Sequence, residues 1–280
     1  MTAQTMETSA EKKKNQAALT SVIAAVGLTV FKIIVGLLTS SLGILAEAAH
    51  SALDLVAALV TLFAVRVSSK PADESHPYGH GKVENFSALI ETLLLLATSV
   101  YIIYEAVQRL FFKPVEVEVS AWSFIVMVTA IIIDFTRSRI LDSAAKKHNS
   151  QALEADALHF RTDIWSSSVV IVGLILVLIS RLSPNLAFLQ KADAVAAMGV
   201  AVIVIIVSVE LGARTIQALL DKAPMGSEEK IRQIAESVEG VTDCHKVRVR
   251  TAGPGLFADI HVRLDGGMSI NQAHEKTLLI

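Results

Sequence analysis

Charge is scarce in this chain and cysteine nearly absent. Only 19% of its 280 residues are Asp, Glu, Lys or Arg, where a soluble domain carries about 25%. The formal net charge of −2 offers no electropositive field for nucleic acid. A single cysteine, Cys244, excludes an internal disulfide framework and suits a reducing cytoplasmic face. The opening MTAQTMETSAEKKKNQ lacks the apolar core and cleavage site of a signal peptide, and residues 1–16 read as a disordered cytoplasmic tail. No HExxH helix is present, so the signature of one class of hydrolytic zinc enzyme is missing.

What fills the chain is apolar: 52% of its residues are hydrophobic and the mean hydropathy is +0.54. Six stretches reach the roughly 20 apolar residues that span a bilayer: 17–38, 42–67, 86–110, 122–141, 155–179 and 192–220. The first two are separated by little more than the turn TSSLG, the second and third by the polar RVSSKPADESHPYGHGK. Basic residues collect on one side of the spans, from Lys12, Lys13 and Lys14 through Arg66, Lys82, Arg137 and Lys146 to Lys222. The other side has only Lys113, Arg181 and Lys191. The positive-inside rule makes the first side cytoplasmic and places both termini there.

After Leu220 the hydropathy collapses. Ser227, followed by Glu228 and Glu229, reads as the N-cap of an amphipathic helix. CHKVRVR and LFADIHVRL alternate like half-buried strands joined across Gly253, Pro254 and Gly255, and SINQAHEKTLLI starts another helix. A small α/β unit needs at least one more strand, so the chain reads as truncated. The expected fold is an α-helical membrane protein, with six transmembrane helices over 17–222 and a small cytoplasmic α/β domain over 223–280.

The polar residues inside the spans call for a reason, because a carboxylate at mid-membrane costs roughly 3 kcal/mol or more. His50 and Asp54 are four apart in the second span, and His159 and Asp163 repeat that spacing in the fifth, so each pair shares a helical face. Asp54 precedes Arg66 by twelve residues, or about 18 Å, and His159 follows Asn149 by ten, or about 15 Å. The two spans run antiparallel, so the pairs meet at similar depth, His50 opposite Asp163 and Asp54 opposite His159. Two imidazoles and two carboxylates suit a tetrahedral divalent cation such as Zn2+, and two Asp charges cancel that of the ion. Glu47, Glu91, Asp134 and Lys32 read as interhelical pairs or cavity lining, and Asp156, on the face of His159 and Asp163, reads as a guide for cations at the cytoplasmic entrance.

Together SLGILAEAAHSALD, PADESHPYGHGKVE and DALHFRTD resemble the cation diffusion facilitator family of metal–proton antiporters, from about residue 17 to the end. The resemblance implies a homodimer in an inner (plasma) membrane, each protomer exchanging one cytoplasmic metal ion for protons. It implies a transport site of His50, Asp54, His159 and Asp163, with Leu158 at a hydrophobic gate and a ferredoxin-like, metallochaperone-like cytoplasmic domain. Many relatives have Asp in place of His50, and the His version resembles zinc-selective members; Cd2+, Fe2+ or Mn2+ remain alternative cargoes. The loop residues Asp73, His76 and His80 match a second metal site, the alternative being a solvated loop whose histidines merely pack. Lys82 and Asp221 match a charge interlock of the dimer. His245, His261 and His274 match part of a regulatory metal site whose remaining ligands lie in a last strand absent here. Two rivals stand beside transport: an intramembrane metalloenzyme, disfavoured because no coordination position is left for water, and a membrane metal sensor or scaffold.

Overall fold

The computed structural model describes residues 3–112, 121–180 and 192–280. Lys113, Arg181 and Lys191, used above for orientation, lie outside the described residues. Six long helices come first: α1 (Ala3–Thr39), α2 (Leu42–Ser68), α3 (Lys82–Phe111), α4 (Ala121–His148), α5 (Gln151–Ser180) and α6 (Ala192–Leu219). Among the described residues, α1, α2, α3 and α6 contain stretches long and apolar enough to cross a membrane. The α4 and α5 helices have comparable length but carry their charged residues, among them Arg137, Asp142, Glu154 and Asp163, toward the turn that joins them.

The turns follow from local chemistry. At the first, Ser40 takes a left-handed conformation (φ 51°), and the Ser41 hydroxyl caps α2 by accepting from the Ile44 N–H at 3.4 Å. Gly36 lets α2 come close, since a β-carbon there would sit 2.8 Å from Leu45. Between α4 and α5, Asn149 is left-handed (φ 49°), and Ser150 Oγ receives the Leu153 N–H at 3.4 Å. These short turns make α1–α2 and α4–α5 antiparallel neighbours.

The helices close a ring in the order α1, α2, α3, α6, α5, α4, and α5 also reaches across to α2 and α3. One core cluster joins Val22 of α1, Leu62 and Val65 of α2, Leu141 of α4, and Leu153 and Phe160 of α5. The interior is otherwise unusually polar: Glu84, Asn85, Glu91 and Asp156 are fully buried. Large apolar side chains lie exposed instead, among them Ile23, Leu37, Leu53, Phe63, Tyr101 and Ile206. A protein in water rarely leaves so many large apolar side chains exposed; hydrocarbon is the solvent that tolerates them, and helices satisfy their own backbones there.

Two expectations need correction. Residues 3–16, read as part of a disordered tail, are helical and form the first part of α1. Lys14 is buried, its ammonium 2.7 Å from Glu84 Oε1. Glu84 in turn accepts from Ser68 Oγ at 2.8 Å and from Ser150 Oγ, so one carboxylate ties α1, α2, α3 and the α4–α5 turn together. The third helix also begins at Lys82 rather than near residue 86, which is why Glu84 belongs to it.

Beyond α6 lie α7 (Ser227–Glu236), β1 (Val241–Ala252), β2 (Gly255–Leu264) and α8 (Ile270–Thr277). The expected N-cap of α7 is also displaced: the cap is Gly226 (φ 76°), not Ser227, which is the first helical residue and whose hydroxyl donates to the Pro224 carbonyl at 2.6 Å. The strands pair antiparallel with His245 opposite His261. Ser269 and Gln272 form a reciprocal capping box on α8.

Candidate cation site

The α2–α5 crossing gathers the inward polar residues. His159 Nε2 lies 3.3 Å from Asp54 Oδ1 and 3.6 Å from Asp163 Oδ2. Ligand atoms of Asp54, His159 and Asp163 all fall within 4.8 Å of one another, a donor set of one imidazole and two carboxylates suited to a divalent cation. His50 does not join this group. Its Nε2 stands 3.9 Å from Asp54 Oδ1 and its side chain is 47% exposed, so one member of the expected quartet sits a turn away. Leu158, beside His159, packs partly buried against a small cluster of Ala88, Ala155 and Leu211.

The other polar groups of the spans find separate partners. Lys32 Nζ donates to Ser51 Oγ at 2.7 Å and pairs with Glu47 at 3.2 Å, pinning α1 to α2. Arg137 bonds Asp134 at 3.2 Å and stacks 3.5 Å over the Phe160 ring. Ser21 links this cation to Asp156, which is buried rather than open at an entrance. Glu91 projects from α3 toward the far side of His159, Oε2 to Nδ1 3.9 Å.

A second ligand group forms in the α2–α3 loop from Asp73, His76 and His80. Asp73 Oδ1 reaches His76 Nδ1 at 3.2 Å and Oδ2 reaches His80 Nε2 at 3.4 Å, with the two rings 4.3 Å apart. The Ser75 hydroxyl and the His76 N–H, donating to the carboxylate, lower the Asp73 pKa to about 2. Gly79 (φ 74°) supplies the turn. The β1–β2 hairpin leans on this loop: the Arg250 guanidinium lies 3.6 Å over the Tyr78 ring, and Phe257 meets Tyr78 edge-on at 5.5 Å. Gly253 N–H donates to Asn85 Oδ1 at 2.9 Å, and Asn85 Nδ2 donates to Gln151 Oε1 at 2.7 Å, joining the hairpin to α3 and α5. Neither this bridge nor Glu84 was singled out from sequence; an acid and an amide in the first turn of an apolar helix were the available signal.

Lys82 and Asp221 meet at 2.8 Å within one chain, where α3 begins and α6 ends. His245 and His261 face each other across the strands with rings 5.7 Å apart, but His245 Nδ1 is engaged by Asp243 at 2.7 Å. His274, on α8, forms no ligand group with them among the described residues. Burial, and then Glu236, pushes the Cys244 thiol upward, away from the thiolate a metal requires.

A bundle that is apolar outside and acidic within, with an imidazole–carboxylate cluster across two of its helices, defines a membrane protein equipped to handle cations. Residues 18–220 match the model of the cation efflux transmembrane domain, and residues 224–278 that of the cation efflux protein cytoplasmic domain. The chain belongs to this cation efflux, or cation diffusion facilitator, family, whose members are transporters and not enzymes. It is 30% identical over 261 residues to the cation-efflux pump FieF of Cronobacter sakazakii, covering 93% of this chain and 84% of that protein. The FieF proteins of Salmonella arizonae and Salmonella agona show the same identity and coverage.

Proposed function

We propose that the protein exports Zn2+ from the cytoplasm in exchange for protons, by alternating access. The carrying observation is the convergence of Asp54, His159 and Asp163 within 4.8 Å where α2 crosses α5. In this reading the three residues bind the ion with His50 as fourth ligand, drawn in from its present 3.9 Å distance to Asp54. Metal binding needs neutral imidazole and ionised carboxylate, so protons and metal compete for the same atoms. Rocking of the bundle exposes the site outward, protons displace the ion, and Leu158 gates the path. Residues 17–222 serve as the membrane domain and 223–280 as a cytoplasmic module, both termini inside, in the inner membrane of a bacterial cell like those of its relatives. Asp73, His76 and His80 hold a second ion, His245, His261 and His274 contribute to a regulatory site, and Lys82 with Asp221 steadies a homodimer.

Counterflow in sealed vesicles tests this reading: zinc should enter as protons leave, and the flux should collapse when the proton gradient is dissipated. Flux indifferent to the gradient between pH 5.5 and 8 overturns antiport. Binding without any flux favours a metal sensor or scaffold. Substitution of Cd2+, Fe2+ or Mn2+ in the same vesicles ranks the cargo.

A further inference from the structure

We propose that Glu91 is a positioning residue for the transport site: its carboxylate receives the Nδ1–H of His159 and so directs Nε2 at the cargo. The inference rests on the proposed function but concerns a residue outside the expected ligand set.

His159 presents its two ring nitrogens to different surroundings. Nε2 faces Asp54 at 3.3 Å and Asp163 at 3.6 Å, whereas Nδ1 faces Glu91 Oε2 at 3.9 Å. Both Nδ1 and Oε2 are buried without a hydrogen-bond partner. The other carboxylate oxygen, Oε1, receives the Thr61 hydroxyl of α2 at 3.2 Å, which fixes the carboxylate from the side. Three helices are thus linked in series: Thr61 of α2 holds the Glu91 carboxylate of α3, which faces the His159 imidazole of α5.

A neutral imidazole has one proton, and the nitrogen that binds a metal must be the other one. Ligation through Nε2 therefore leaves an Nδ1–H in the interior that requires an acceptor, and ligating histidines almost always have one. Among the described residues the unpaired acceptor aimed at Nδ1 is Glu91 Oε2. At 3.9 Å the pair is beyond hydrogen-bond length, so the role requires the two groups to close by about 1 Å when an ion binds. Aligned in this way, the ring costs less to order on binding, and the acceptor makes Nε2 a stronger donor to the ion.

The test uses the full chain carrying His76→Ala, so that the loop does not mask the site, with Glu91→Gln, Glu91→Met and Thr61→Val added singly. Zinc affinity is measured in detergent against a chromophoric chelator, KM and Vmax in vesicles, and melting temperature alongside. Glu91→Met should weaken affinity about 10- to 100-fold and raise KM. Glu91→Gln retains an acceptor and should stay close to the unsubstituted affinity; Thr61→Val should lose a smaller factor than Glu91→Met. A merely structural carboxylate would lower the melting temperature and leave the affinity of the folded protein unchanged. Wild-type affinity in Glu91→Met, or equal losses in the Gln and Met variants, overturns the role. Where Glu91→Met does not fold, unchanged affinity in Thr61→Val overturns it. Asp163→Ala separates the two levels: if it keeps full affinity the transport-site reading falls, and if it loses affinity while Glu91→Met does not, only Glu91 is misassigned.

Discussion

In the proposed site, Asp54 and Asp163 would supply the charge that balances a divalent ion between α2 and α5. Removing either leaves an unbalanced charge in a buried site, at a cost of about 3 kcal/mol or more, or roughly 100-fold in binding. Asp54→Ala and Asp163→Ala should each abolish zinc flux in vesicles while the protein still extracts as a folded species; flux at the unsubstituted rate would exclude these carboxylates as ligands. His50 stands differently, 3.9 Å from Asp54 and half exposed. His50→Asp would give a harder, more negative donor set. The variant should keep zinc transport and admit more cadmium when the two ions compete for uptake. An unchanged competition profile would leave the site as the three residues that already converge, with Glu47 the first candidate on the same helix for a fourth.

At the scale of elements, the α2–α3 loop and the β1–β2 hairpin are built against each other. Gly81 and Gly253 pack backbone to backbone: a β-carbon on Gly81 would collide with the Ala252 carbonyl, and Gly253 is left-handed at φ 57°. Gly253→Ala should cost about 1–2 kcal/mol from its backbone conformation alone. It should also raise hydrogen exchange in β1 and β2, and exchange matching that of the unsubstituted chain would show that the contact does not hold the hairpin. The loop itself should be secondary for transport. His76→Ala should weaken metal binding near the membrane surface and lower flux modestly, whereas complete loss at saturating zinc would move the essential site into this loop. Asp73 has its folded pKa depressed from 3.8 to about 2. The stabilisation that its hydrogen bonds provide is therefore fully present above pH 3.8 and lost only as pH falls through about 2. Loss of loop metal between pH 5 and 7 would accordingly come from groups other than Asp73, and Asp73→Asn should lower affinity without moving the midpoint of that pH profile.

For the whole molecule, the polarity is arranged inside out. Glu84 collects Lys14, Ser68 and Ser150 at one end of the bundle, while the Asp54–His159–Asp163 cluster lies farther along the same helices. Lys82 and Asp221 join the start of α3 to the end of α6, both about two-fifths exposed. An exposed pair is worth about 0.2–1 kcal/mol, so Lys82→Glu or Asp221→Lys alone should shift the monomer–dimer balance only severalfold. The double exchange should restore it, as read by native mass spectrometry. Absence of any shift in the single variants would remove the pair from the proposed dimer contact.

Much of this was legible from residue order. Apolar runs of spanning length, the Ser40–Ser41 turn, the His-xxx-Asp spacing on α2 and α5, and the hairpin break at Gly253 are local properties. They depend on side-chain solvation and on the 3.6-residue helical period, which a single segment expresses by itself. Depth, read from distance to the basic boundary, likewise predicted that Asp54 and His159 meet. Only the packed bundle decided the rest. His50 stays outside the cluster although it shares the face of Asp54, and the position of α3 puts Glu91 behind His159. The length of α1 carries Lys14 out of an expected tail onto a buried Glu84, and the hairpin settles against Asn85. Each of these depends on how helices remote in sequence turn toward one another, and such crossing angles arise from many weak interhelical contacts that no single stretch of chain contains.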